Sequence, residues 1–299
     1  MSKDAWGRWG AEDERGAPNL IGRDEVRRAA GLVRTGELVE LAQPLSPRTP
    51  VPKHRAGVQH FMGRDGGDYA AGAKRPGGFQ FAEDTVVMPL HIGTHIDALC
   101  HAWCDDCLYN GFPGKSTRST TGALRCGAEK IGPIVTRGVL LDIVRLRGAP
   151  LGASESIGRS DLVNAAEAAS VAIEPGDAVL IRTGWLESQP ASDVSFDEEP
   201  GIDVDAALWL AERGVAMVGA DNFAIEAIPF PDGTVFPVHQ RLIRDYGIPL
   251  MEARVCSHLV SRTDWYQKTF ASIRRGTIRF SSATGGHQPQ WTGRLDHSG

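Results

Sequence analysis

The sequence predicts one compact α/β domain, on three observations. Strand-like runs of β-branched and aliphatic residues alternate with helix-period segments, no internal repeat is present, and no linker or charge run divides the chain. The domain is expected over 1–299, with an N-terminal arm at about 1–22. The 299 residues are 41% hydrophobic and 23% charged, an ordinary globular composition with enough apolar mass for one large core. The 35 glycines and 18 prolines predict many turns and long, shaped loops.

The arm MSKDAWGRWGAEDERG has no apolar h-region, so it does not read as a secretory signal. Its Trp6 and Trp9 are expected to cover a neighbouring subunit. A helix is expected over 24–35, with Val26, Ala29, Ala30 and Val33 on one face and Gly36 as its stop. A Gly/Pro-rich loop, a candidate lid, should follow over 48–83. Strands are expected over 85–97, 138–144, 178–183 and 215–220, each bounded by Gly, Pro or Asp. Helices should lie over 161–170, over 204–213 with Asp203 as N-cap and Gly214 as stop, and over 237–246 with Pro237 at its first position and Gly247 as its stop.

Charge and composition exclude several functions. With 32 Lys+Arg against 37 Asp+Glu and a pI near 6.0, the chain lacks the basic face that nucleic acid requires. No run of about 18 apolar residues is available to cross a bilayer. Five cysteines, an odd and modest count, point to reduced thiols and a cytoplasmic location. No G-x-S-x-G elbow or G-x-G-x-x-G turn occurs, so neither a serine hydrolase nor a nicotinamide enzyme is supported.

The chemistry is concentrated in HIGTHIDALCH, from His91 to His101. On a continuous strand, His91, Gly93, His95 and Asp97 would share one face, because side chains alternate with period 2. Two imidazoles and a carboxylate then converge on one point, with Gly93 clearing room for an ion and Thr94 locking the backbone from the other face. Such a set suits Zn²⁺, Mn²⁺ or Fe²⁺ and leaves positions open for water and substrate. His101 would follow the strand end, facing the site as a proton carrier. The competing reading is a buried hydrogen-bond network without metal. Cys100, Cys104 and Cys107 overlap the motif with a C-x3-C-x2-C spacing, but Asp106 precedes the last cysteine and no Gly-rich partner segment follows, so small loop thiols are the better reading. Cys126 and Cys256 read as isolated residues.

The motif resembles the signature of the cyclase family of metal-dependent hydrolases, whose members include kynurenine formamidases, isatin hydrolases and trans-dienelactone hydrolases. The similarity extends from WGRWGAEDERGAPNLIGRDEVRRAAGLVRTGELVEL through PGDAVLIRTGW and GVAMVGADNFAIEAIP to PVHQRLIRDYGIPLMEARV, which matches the longer members of about 300 residues. Leu99 stands where the shorter formamidases carry Pro. The resemblance implies a swivelling β/β/α fold with a small barrel-like sheet, and a homodimer or homotetramer. It also implies that His91, His95 and Asp97 bind one ion, zinc or manganese, that His101 is the acid/base, and that His239 and Glu252 form a second pair of ligands.

The expected activity is hydrolysis of a small amide, cyclic amide or lactone by metal-activated water, with His101 moving the proton. Phe61, Phe81, Trp185 and Phe230 are candidate walls of an apolar substrate pocket. A metal-dependent cyclase, dehydratase or isomerase is the alternative, and a non-catalytic metal-dependent ligand-binding protein is the reading from outside enzymology.

Overall fold

A computed structural model describes residues 5–189, 194–253, 256 and 259, together with the backbone of 267–272. Most of the expected domain beyond 253 therefore lies outside the described residues, as does the end of the PVHQRLIRDYGIPLMEARV block.

The strands that build the fold are β1 (Gln59–Arg64), β2 (Glu83–Val87), β3 (His95–Asp97), β4 (Ile134–Asp142), β5 (Ala178–Arg182), β6 (Met217–Ala220), β7 (Leu250–Glu252) and β8 (Gln267–Ser272). Among the described residues the main sheet has the order β8-β4-β5-β6-β7-β3. Its four middle strands are parallel, and β8 and β3 run antiparallel at the edges. The helices include α1 (Arg23–Gly31), α2 (Gly66–Ala70), α3 (Ile143–Arg147), α4 (Arg159–Ala168), α5 (Val204–Glu212) and α6 (Pro237–His239), the last running on as a π-helical stretch over Gln240–Asp245.

This arrangement follows from the handedness of βαβ crossovers. Parallel strands need a crossover, and a right-handed one packs its helix back on the sheet. Because β4, β5, β6 and β7 are laid down in sequence order across the sheet, the crossovers place their helices on one face. The side chains bear this out. Val139, Leu141, Val179, Ile181, Val218 and Leu250 point into a core shared with Leu162 and Ala165 of α4, Ala207 and Leu210 of α5, and Leu242 and Ile243 of the π-helical stretch. Their neighbours Leu140, Ala178, Leu180, Met217 and Met251 point the other way, toward Ile21, Ile131 and Ile134. Strands buried on both faces read as unbroken apolar runs, which is why 178–183 and 215–220 were visible in the sequence.

Several expected elements shift. The α1 helix stops at Gly31, with Leu32 closing it rather than Gly36. Asp203 does cap α5, accepting from the Ala206 amide at 2.8 Å. The strand expected over 138–144 begins earlier and turns into α3 at Ile143. The strand expected over 85–97 is two strands in different sheets, β2 pairing with β1 in a hairpin and β3 joining the main sheet. Pro89 withholds a ladder donor and Gly93 takes φ +56, so the run cannot stay extended. The segment expected as a loop over 48–83 holds β1 and α2. Trp6, expected to face another subunit, packs on this chain's own core and donates its indole N–H to the Arg244 carbonyl at 2.8 Å, and Trp9 packs on the same core.

Candidate active site

The candidate ligands come from two stretches of chain that the sheet edge brings side by side. In the antiparallel register of β3 with β7, His95 lies opposite Glu252 and Asp97 opposite Leu250. His95 and Asp97, two residues apart, share a face of β3 as the period of a strand requires. Glu252 is the last residue of β7, at the carboxyl end of the parallel strands, where ligand sites of α/β sheets form. His239 arrives from the start of the helix preceding β7.

Asp97 is the centre of the group and is fully buried. His91 Nε2 and His95 Nε2 lie 3.3 and 3.4 Å from its Oδ1, while His239 Nε2 and His101 Nε2 lie 3.7 and 3.9 Å from its Oδ2. Glu252 sits on the same axis, with Oε2 3.1 Å from His95 Nε2 and Oε1 3.2 Å from His239 Nε2. All six predicted metal and acid/base residues are therefore together. His91 and His101 stack with ring centroids 3.9 Å apart and form the open side of the group.

The motif itself is built differently from the expected strand. His91 to Thr94 form a bend, so His91 reaches the group from a loop. Gly93 does not clear room for an ion; a Cβ there would lie 2.7 Å from a methyl carbon of Leu45, and its left-handed backbone favours glycine. Thr94 locks the segment as expected. Its hydroxyl donates to the Ala253 carbonyl at 2.7 Å and accepts from the Gln43 amide at 2.9 Å.

Two buried carboxylates among four imidazoles set the electrostatics of the group. Burial alone would raise the pKa of Asp97, but His95, His101 and His239 outweigh it and hold the carboxyl near about 2. Burial would likewise lower His95 and His239, yet in the ion-free protein Asp97 and Glu252 around the first, and Glu226 and Glu252 around the second, push each to about 10. His91 goes the other way, down to about 4, through burial and the neighbouring His101. Burial also lowers His101. Both oxygens of Asp97 and Nε2 of His95 are buried and make no hydrogen bond of acceptable geometry. Orphaned buried polar atoms cost free energy, on the order of 1–3 kcal/mol each, unless a partner satisfies them. Nitrogen and oxygen donors converging this closely fit a borderline divalent ion such as Zn²⁺ or Mn²⁺. Two overlapping sets meet the spacing, His91 with Asp97 and His101, and His95 with Asp97 and Glu252.

The four candidate pocket residues fare unequally. Phe230 packs on Phe236 with centroids 4.5 Å apart, and Phe236 in turn sets its ring edge against His239 at 4.9 Å. Trp185 is 95% buried behind the β5 end, more core than wall. Phe61 lies exposed on β1, and Phe81 stacks on Phe79 within the same hairpin region, beneath Arg64 and Arg75. Cys104 and Cys107 flank a two-residue turn whose Asp105 and Asp106 both have positive φ, and Cys126 and Cys256 are buried thiols.

Phe236, Glu226 and Glu199 were not legible in the sequence. Glu226 accepts from His239 Nδ1 at 2.6 Å. Glu199 accepts the Phe223 and Ala224 amides at 2.9 and 2.6 Å, which holds the loop leading to Glu226. A carboxylate far away in sequence from the histidine motif carries no local signal, since only the fold brings it there.

Comparison with known proteins gives consistent relatives. A family model described as putative cyclase matches residues 39–227. A crystal structure described as a novel cyclase superposes with a TM-score of 0.81 at 36% identity, covering 88% of this chain and 91% of the other. Isatin hydrolase A from Ralstonia solanacearum shares the fold, with a TM-score of 0.54 at 23% identity over 76% of this chain and 83% of its own. Kynurenine formamidase from Bacillus mycoides (strain KBAB4) is 26% identical over 175 residues, which is 58% of this chain and 66% of that enzyme.

Proposed function

The chain belongs to the cyclase family, and from that membership we propose a metal-dependent hydrolase that cleaves a C–N or C–O bond of a small amide, cyclic amide or lactone. The observation that carries the reading is Asp97, a buried carboxylate whose two oxygens make no hydrogen bond, face four imidazoles and lie beside a second carboxylate. His91, His95 and Asp97 would hold one ion, and His239 and Glu252 would supply ligands for a second. Bound there, zinc or manganese supplies Lewis acidity toward a carbonyl oxygen and acidifies water.

The protein's own groups do the rest. Asp97 and Glu252 project from strands at the sheet edge, the kind of rigid support that holds a site more precisely than a loop does. His101 lies on the open side, kept neutral by burial, so its Nε2 can take a proton from water and return it to the leaving nitrogen or oxygen. The aromatic pair Phe230 and Phe236 beside His239 offers an apolar wall for a flat substrate. A homodimer or homotetramer working in the cytoplasm belongs to the same proposal.

A specific observation favours a second role for His101. Its Nε2 falls within ligand range of the Asp97 and His91 donors, so it can serve as a ligand instead of a proton carrier. Metal content of His101→Ala separates the two. A carrier leaves the ions in place while turnover falls about 10²- to 10⁴-fold; a ligand loses an ion as well. His95→Ala loses metal under either role. The parent experiment is elemental analysis joined to a screen of N-formylanilines, isatins, cyclic imides and lactones. Stoichiometric metal with turnover on one class supports the hydrolase. Metal without turnover favours the cyclase, isomerase or binding readings, and absence of metal in protein purified and reconstituted with zinc and manganese overturns the proposal.

A further inference from the structure

The helix that brings His239 to the centre begins with a backbone problem. Pro237 has no N–H, so the first amides needing partners are those of Val238 and His239, both buried. Glu226, itself buried, answers both. Its Oε2 accepts from the Val238 amide at 3.0 Å and its Oε1 from the His239 amide at 3.0 Å. The same Oε1 lies 2.6 Å from Nδ1 of the His239 ring. On the far side of that ring, Nε2 faces Asp97 and Glu252 at 3.7 and 3.2 Å.

We propose that Glu226 is the positioning residue for His239: its carboxylate keeps a proton on Nδ1 and so reserves Nε2 as the nitrogen that meets the ion. An imidazole has one lone pair to give when singly protonated, and which nitrogen offers it is set by the hydrogen bond the other nitrogen makes. Without an acceptor on its Nδ1 side, the ring is free to turn or to hold its proton on Nε2, which removes it as a ligand.

The support beneath Glu226 agrees with this role. Its preceding residue Ile225 has φ +62, a strained backbone for a β-branched side chain, at the point where the chain turns the carboxylate inward. Gly201 lies against it so closely that a Cβ would fall 2.3 Å from the Glu226 carbonyl carbon. Glu199 holds the amides of Phe223 and Ala224 just upstream. Three neighbours thus fix the place of one carboxylate that itself reaches no solvent and, on this reading, no substrate.

The inference rests on the centre being a metal site, and two measurements keep them separable. The first is the protonation of the His239 ring by ¹⁵N–¹H NMR of the wild-type protein without metal and loaded with zinc. Positioning requires in both an Nδ1 proton shifted downfield by its hydrogen bond to Glu226, and an Nδ1 proton without that shift overturns the inference whether or not zinc binds. The second is manganese titration of wild type, Glu226→Gln and Glu226→Asp. Loss of this kind of outer support lowers metal affinity about 10- to 100-fold, so Glu226→Gln should weaken manganese by that factor and lose the downfield Nδ1 proton signal, with partial recovery in Glu226→Asp. A Glu226→Gln protein that keeps both the signal and the affinity overturns the inference. Failure of the wild type to bind manganese or zinc sinks the metal reading, and the metal-free spectrum still decides whether Glu226 holds the Nδ1 proton. Should Glu226→Gln not fold, the two wild-type spectra decide alone.

Discussion

Asp221 is fully buried just past β6, and its carboxylate is held by one turn of chain. It accepts from the Thr183 amide and hydroxyl, both at 2.7 Å, and from the Gly184 amide at 2.8 Å. Burial outweighs these three donors and pushes its carboxyl up to about 6 from 3.8. The folded protein therefore holds a proton that the unfolded chain has already lost between those values. The stability this gives is fully present below about pH 4 and is lost as pH rises through about 6, worth on the order of 3 kcal/mol. Urea unfolding of wild type and Asp221→Asn at pH 4.5 and pH 7.5 checks it: the stability difference in favour of wild type should be larger at the lower pH. No feature of the sequence marked Asp221, since an aspartate at a strand end reads as an ordinary turn residue. His91, His95, Asp97 and His101 were legible because they lie within eleven residues. His239 and Glu252 were legible only through family resemblance, being thirteen residues apart in unremarked elements.

At the scale of elements, the parallel strands were readable as apolar runs because both of their faces are buried. The segment before the site was not, because its apolar pattern crosses Pro89 and Gly93, which break it into a hairpin strand, a bend and the short β3. The consequence is that β3 offers only three residues to the sheet, too few to hold its place by ladder bonds alone. Thr94 makes up the difference by joining the bend to both Ala253, just past Glu252, and Gln43. Thr94→Val keeps the shape and loses both bonds, leaving a carbonyl and an amide without partners. It should destabilise the protein by ~1–3 kcal/mol in urea unfolding and weaken zinc or manganese binding in titration, because the two ligand stretches lose their register. Retained stability and affinity together would show that β3 is held by other means.

For the whole molecule, the α/β class was legible in the alternating sequence pattern, while the one-sided layer of crossover helices follows from strand order and crossover handedness. The sheet order was not legible, because the pairing of β7 with β3 joins residues that nothing in the sequence connects. No helix among the described residues is long and apolar enough to cross a membrane. Ion binding should raise the thermal midpoint. A ligand present at about 100 times its Kd adds ~2.7 kcal/mol to folding stability by mass action, so melting with zinc or manganese against melting with a chelator should differ by several degrees. Equal midpoints would mean that the folded chain does not bind these ions preferentially.

The converging donors also have a topological meaning. Asp97 and His239 are separated by roughly 140 residues, a loop whose closure costs the unfolded chain several times RT, and an ion seated between them would tie that loop shut without a covalent bond. It would behave as a removable cross-link: parallel strands β4, β5 and β6 all lie inside the closed stretch, so they cannot separate fully from the rest of the chain until the ion leaves. The rate at which a chelator strips the metal would then set a ceiling on the rate of global unfolding, making the lifetime of the native state a property of the metal centre as much as of the core.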